Sequence, residues 1–197
     1  DQDIAFEPDW LAAHSYESAP LVDGFRLAPD VEVWDQRLGH AMPCADFGAR
    51  PDDPAVLLDW LQRLNCYGVA KVTGGPVESG ALLDVASLFG YVRETNYGKW
   101  FEVRTEVNPV NLAYTGLSLQ AHTDNPYRDP VPTMQILYCL ENSAEGGDSI
   151  VVDGFACARR LYEKNPEDFK LLSQYCAAFA YEGSKGVALH SRRPMRE

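Results

Sequence analysis

The chain contains no Cys-x-x-Cys pair, no excess of basic residues and no apolar run approaching the roughly 18 residues of a membrane-spanning helix. Each absence narrows the field. The cysteines are five, an odd number: Cys44, Cys66, Cys139, Cys157 and Cys176. Without paired spacing they read as reduced, mostly buried thiols of a cytoplasmic protein, and Cys139 and Cys176, set in apolar runs, are expected in the core. The 17 basic and 29 acidic residues give a net charge of −12. That balance argues against nucleic acid or an anionic membrane as the main partner and is compatible with a small cationic ligand. Asp1-Gln2-Asp3 neither opens a signal peptide nor supplies an initiator methionine, so the expectation is a chain that starts partway through a longer protein. Internal repeats and low-complexity tracts are also missing.

What is present belongs to a globular domain. The 197 residues are 46% hydrophobic and 11% aromatic, enough for a single domain with a substantial core. Residues 1–50, rich in Pro and Asp, read as a covering segment or a linker from a missing N-terminal domain, with one short helix near 9–14. Asp53-Pro54 opens a helical pattern carried by Val56, Leu57, Trp60, Leu61 and Leu64. A buried strand is expected over 68–73 and a second amphipathic helix over 78–89, closed by Gly90. Strands are expected over 101–107, 117–122, 133–140, 149–153 and 177–181, separated by Pro-rich and Gly-rich turns. One helix follows Asp153-Gly154 with Phe155, Ala158 and Leu161 facing inward, and another starts at Asn165-Pro166. Helices beside a run of short strands suggest an α+β domain built on a jelly-roll or barrel.

The chemistry gathers at Leu119-Gln120-Ala121-His122-Thr123-Asp124-Asn125-Pro126. On a strand, residues i and i+2 share a face, so His122 and Asp124 can reach one metal ion together. They would supply two of the three ligands of a 2-His-1-carboxylate triad, which leaves positions on Fe(II) open for a co-substrate and O2. A His-x-Asp pair alone is common, and locally satisfied side chains at a strand end are the simpler reading of it. Glu145-Gly146-Gly147-Asp148-Ser149 is by itself a hairpin turn, with Ser149 lying 27 residues beyond His122. Tyr97-Gly98-Lys99-Trp100-Phe101, with Tyr114 17 residues after Tyr97, reads from the residues alone as core aromatics on two strands.

Together these segments are more specific. The run Leu112-Ala113-Tyr114-Thr115, through His122-Thr123-Asp124-Asn125-Pro126, to Gly146-Gly147-Asp148-Ser149-Ile150-Val151-Val152-Asp153-Gly154-Phe155 resembles the Fe(II)/2-oxoglutarate dioxygenases of the taurine dioxygenase superfamily. Within it the similarity is to the γ-butyrobetaine and trimethyllysine hydroxylase branch, which includes a bacterial enzyme acting on 2-(trimethylamino)ethylphosphonate. It runs from about residue 50 to the end and less clearly through 1–50. The resemblance implies a double-stranded β-helix, or jelly-roll, core with flanking helices. Residues 51–197 would form its first part, with the C-terminal part of the fold missing from this chain.

It also implies roles. His122 and Asp124 would bind Fe(II), and the Ser149 hydroxyl would help to hold the distal carboxylate of 2-oxoglutarate. A carboxylate tail needs a hydroxyl donor and an Arg clamp, which agrees. Tyr97 and Tyr114 would be walls of an aromatic cage for a trimethylammonium group, which has no hydrogen to donate and is recognised by aromatic faces. The next wall matches Phe101 in a gapless alignment and Trp100 after a one-residue shift. Asn111 matches a contact to the anionic end of the substrate, and Asn125 and Tyr127 are further candidates to line the pocket. The second His ligand and the Arg clamp lie farther along in that family and are expected outside this chain, whereas His190, His14 and His40 read as structural or exposed. A zinc-binding N-terminal domain and a homodimer are further expectations. The implied reaction is hydroxylation of a small cationic or zwitterionic trimethylammonium substrate in the cytoplasm, with no nucleic-acid or membrane partner. Two alternatives are a different, cupin-type jelly-roll metalloenzyme and a non-catalytic quaternary-ammonium binding module.

Overall fold

The computed structural model describes residues 7–13, 24–46, 48, 53–88, 90–105, 107–108, 114–143, 145–183 and 186–194. The first element is a short helix, α1 (Pro8–Ala13). A 3-10 turn, Gln36–His40, is capped by the Asp35 side chain. Strand β1 (Cys44–Asp46) pairs in parallel with β2 (Lys71–Thr73), and the crossover between them is α2 (Pro54–Tyr67). Sequence chemistry explains the helix. Asp53 accepts a hydrogen bond from Ala55 N at 2.8 Å and Pro54 fills the first turn, where its missing N–H is harmless. At the far end, Gly68 N–H returns to Leu64 O at 2.7 Å. The helix turns Trp60 inward, and its indole Nε1 donates to Lys71 O at 3.2 Å, which docks α2 on β2.

Helix α3 is shorter than its pattern predicts, covering Leu82–Ser87 rather than 78–89. Gly80, at φ +86°, breaks the first turn, and a Cβ there would lie 3.6 Å from the Trp100 indole. The local backbone and the Trp100 contact win over the periodicity. Val85 and Ala86 form the buried face.

Helix α4 (Gly154–Lys164) and helix α5 (Pro166–Gln174) follow as expected. Asp153, 8% exposed, accepts from Phe155 N at 2.8 Å and Ala156 N at 3.0 Å, capping α4. Its other oxygen accepts from Trp34 N at 2.7 Å, while Trp34 Nε1 donates to Tyr67 O at 2.7 Å. Trp34 therefore joins the end of α2 to the start of α4. Phe25 packs edge-on against Phe169 and stacks on Tyr162, closing the α4–α5 pair. Phe155, expected to face inward, is exposed, because the first turn of α4 is held by its cap rather than by packing; Ala158 and Leu161 are half-buried.

Antiparallel strands β3 (Cys176–Glu182) and β4 (Ala188–Pro194) form the second sheet, with Ala180 opposite His190. The strand expected over 177–181 lies inside β3. The described residues of the strands expected over 101–107, 117–122, 133–140 and 149–153 join no ladder in this structure. Alternating apolar residues confer propensity, but a ladder needs a partner backbone. Leu117, Leu137 and Ile150 are 69%, 70% and 81% exposed. The chain exposes 16039 Å², against about 9,300 Å² for a compact protein of its mass. Cys139, placed in the core by its apolar run, is exposed for the same reason. Cys176 is half-buried at the edge of β3, and all five cysteines are free thiols. The mixed helix-and-sheet content matches the α+β reading. No helix of the described residues is long and apolar enough to cross a membrane.

Candidate active site

His122 and Asp124 stand on an exposed segment that ends in a tight turn. His122 Nε2 lies 3.3 Å from Asp124 Oδ1, and Nδ1 lies 2.6 Å from Gln120 O. A carbonyl can only accept, so Nδ1 carries the proton and Nε2 offers its lone pair toward the carboxylate when the ring is neutral. This is the arrangement of a metal-binding imidazole, whose second nitrogen is fixed by a carbonyl. Two donors held at right angles on one cation by bonds of about 2.1 Å are about 3.0 Å apart. The observed spacing and the N,O donor set fit a divalent iron. As an ion pair, with side chains 52% and 45% exposed, the contact is worth at most about 1 kcal/mol. Among the described residues no group of three or more His, Cys, Asp or Glu side chains could hold a metal. His190 and His40 are exposed and join no such group among the described residues.

The next turn is built by Asn125, at φ 55°, whose carbonyl accepts from Arg128 N at 3.1 Å and whose side chain accepts from Tyr127 OH. It is tied to β4 by Ser191 Oγ, which donates to Pro126 O at 2.6 Å, and by Arg193, which donates to Arg128 O at 2.6 Å. Tyr127 stacks on Tyr181 of β3 with centroids 4.8 Å apart.

Tyr181 also meets Tyr97 at 6.2 Å, and Tyr97 meets Phe101 at 5.5 Å, tilted by 42°. Tyr97 and Phe101 thus adjoin like walls at a corner. Trp100 lies instead over Gly80. Tyr114 is half-buried and makes no ring contact with them among the described residues; Asn111 and His14 lie outside the described residues. Burial pushes the Tyr97 phenol above its ordinary pKa of 10.0, and the hydrogen bond with Tyr97 does the same to Tyr181. Ser149 is exposed beyond Gly146-Gly147 and makes no hydrogen bond among the described residues.

Two members of this cluster escaped the sequence reading. Tyr181 ends the strand expected over 177–181, with no motif to separate it, and Arg128 belongs to no motif. Arg128 is 8% exposed, with its Cζ 5.8 Å from the ring centroids of both Tyr97 and Tyr127.

Comparison with known proteins bears on this geometry. Residues 37–196 match the taurine catabolism dioxygenase TauD, TfdA family. The γ-butyrobetaine dioxygenase of Pseudomonas sp. (strain AK-1) is 38% identical over 170 residues, which cover 86% of this chain and 44% of that protein. The human γ-butyrobetaine dioxygenase is 31% identical over 172 residues, 85% of this chain and 43% of the relative. The mitochondrial trimethyllysine dioxygenase of Bos taurus is 31% identical over 170 residues, 86% and 40%. The chain thus spans less than half the length of these relatives. With its His122–Asp124 pair inside the matched region, it belongs to the taurine catabolism dioxygenase TauD, TfdA family, in the branch that resembles γ-butyrobetaine and trimethyllysine dioxygenases.

Proposed function

We propose that this chain carries the N-terminal part of the catalytic domain of an Fe(II)- and 2-oxoglutarate-dependent hydroxylase. Its substrate is a small trimethylammonium compound, γ-butyrobetaine or its phosphonate analogue 2-(trimethylamino)ethylphosphonate. The observation that carries this reading is the His122 Nε2–Asp124 Oδ1 spacing of 3.3 Å, with Nδ1 fixed on a carbonyl, inside the family match. When bound, Fe(II) and 2-oxoglutarate would activate O2, one oxygen atom entering a C–H bond of the substrate and the other the succinate left as 2-oxoglutarate loses CO2.

The protein's own residues position the reactants. His122 and Asp124 would hold the Fe(II) through Nε2 and a carboxylate oxygen. Ser149 donates to the far carboxylate of 2-oxoglutarate, from a side chain that no neighbour among the described residues engages. Tyr97 and Phe101 offer adjoining faces to the cationic head, with Tyr114 as a further wall and Trp100 held apart over Gly80. Asn111 would contact the anionic end and Asn125 would line the pocket, so that the carbon between the two ends meets the oxidant. The uncovered apolar residues Leu117, Leu137 and Ile150 support a jelly-roll whose sheets are completed by further strands, which would also bring the second His ligand and the Arg clamp. A zinc site in an N-terminal domain, a homodimer and a cytoplasmic location complete the proposal.

The test is succinate formation by the full protein with Fe(II), ascorbate and 2-oxoglutarate. γ-Butyrobetaine, trimethyllysine, 2-(trimethylamino)ethylphosphonate and taurine are offered in parallel. Stimulation by one trimethylammonium compound supports the class and names the substrate. A cupin-type enzyme gives no succinate, and a binding module retains γ-butyrobetaine in the presence of chelator without turnover.

A further inference from the structure

Arg128 has an unusual environment for a permanent cation. It is 8% exposed, and among the described residues no carboxylate pairs with it and its Nε has no hydrogen-bond partner. One terminal nitrogen donates to Asn96 Oδ1, and the guanidinium lies 5.8 Å from the centroids of Tyr97 and Tyr127. Asn96 and Tyr97 form the turn between Thr95 and Gly98, closed by Thr95 N to Gly98 O at 3.1 Å and Gly98 N to Thr95 O at 2.9 Å. The backbone of Arg128 meanwhile closes the turn four residues beyond Asp124 and is held to β4 by Arg193. One residue therefore ties the segment after the metal pair to the turn that presents Tyr97.

We propose that Arg128 is a positioning residue that seats the Tyr97 ring relative to His122 and Asp124, and so sets the affinity of the site for the quaternary ammonium head. The inference rests on the reading of Tyr97 as a cage wall. A buried charge without an ion-pair partner adds little to stability, and an apolar side chain of similar volume often replaces such a charge without loss. What an apolar replacement cannot supply is the directional hold: a planar fork on Asn96 and a flat cation on one face of Tyr97. The substrate's ammonium then uses the part of the ring that the guanidinium leaves open.

The experiment compares the full wild-type protein with Arg128→Met and Asn96→Ala. Asn96 is exposed and its side chain also hydrogen-bonds the Tyr181 phenol, so its variant tests the hold on the Tyr97 turn from the solvent side. Steady-state kinetics are measured with γ-butyrobetaine and with 2-oxoglutarate, alongside a thermal melt. Arg128→Met raises KM for γ-butyrobetaine about tenfold and Asn96→Ala about threefold. KM for 2-oxoglutarate stays unchanged, and the melting temperature of Arg128→Met is unchanged or higher. An unchanged or lowered KM for γ-butyrobetaine in both variants, in a wild type that turns over, overturns this inference alone, and a lowered value would mean that the guanidinium mainly repels the substrate. Equal rises in both KM values together with a lower melting temperature would reduce Arg128 to a structural role. No turnover of any trimethylammonium compound by the wild type overturns the cage reading and this inference with it.

Discussion

The imidazole Nε2 of His122 faces the carboxylate of Asp124 at 3.3 Å while its Nδ1 is held 2.6 Å from the Gln120 carbonyl. The ring is oriented by backbone geometry rather than by the carboxylate. Losing the carboxylate should therefore leave the imidazole in place. Asp124→Ala is expected to abolish iron binding while the Gln120 contact persists. Metal content measured after reconstitution under anaerobic conditions, set beside the His122 ring resonances, checks both halves.

The separation of Trp100 from Phe101 makes a contrasting pair of variants. Phe101→Ala removes a face adjoining Tyr97 and should raise KM for the quaternary ammonium by one order of magnitude or more, if the face contributes about 2 kcal/mol. Trp100→Ala removes packing over Gly80 and should lower stability with a smaller effect on KM. Steady-state kinetics and urea melts of the two variants give the comparison. A larger KM effect at Trp100 would exchange their assignments.

Asp153 holds three backbone N–H groups from two parts of the chain, Phe155 and Ala156 in α4 and Trp34 upstream of β1. Asp153→Ala leaves a helix terminus uncapped and the Trp34 N–H without its partner. A loss of about 2–3 kcal/mol is expected, with Asp153→Asn restoring part of it. Urea unfolding followed by tryptophan fluorescence measures it directly.

Gly183 lies against the Tyr181 ring so closely that a Cβ would stand 2.6 Å from Cε1 and 2.7 Å from the phenol oxygen. The same ring stacks on Tyr127 at 4.8 Å. Gly183→Ala should push Tyr181 out of that stack, loosening Tyr97 with it and lowering near-ultraviolet circular dichroism from tyrosine.

Raised phenol pKa values give the tyrosine cluster a definite pH response. For an acid whose folded pKa exceeds its unfolded value of 10.0, the stabilisation is fully present below that value and is lost as pH climbs through the folded one. Tyr97 and Tyr181 are thus neutral, and their contribution constant, from about pH 6 to about pH 9, and stability falls above about pH 10. Melting curves across that range test this, and Tyr181→Phe should weaken the alkaline fall.

Much of this arrangement was legible in the sequence, for reasons that differ by element. Asp53-Pro54 and Asp153-Gly154 announce helix starts because capping is local chemistry, and the helices begin there. The start of α3 was misplaced because periodicity is blind to the positive φ of Gly80 and to the Trp100 contact over it. The strands expected over 101–153 join no ladder among the described residues, because a ladder is a property of two segments and alternation describes one. The His122–Asp124 contact joins residues two apart, on a segment that forms no ladder here. The approach of Tyr181 and Arg128 to Tyr97 joins residues 84 and 31 positions apart, and no local pattern encodes it.

The most direct measurement is the substrate-dependent formation of succinate by the full protein, with Fe(II), ascorbate and 2-oxoglutarate, in the wild type and in His122→Ala. The account predicts that γ-butyrobetaine or its phosphonate analogue stimulates succinate release from the wild type, with stoichiometric hydroxylated product, and that His122→Ala abolishes both. A wild-type protein that binds iron but releases no succinate with any trimethylammonium compound would contradict it.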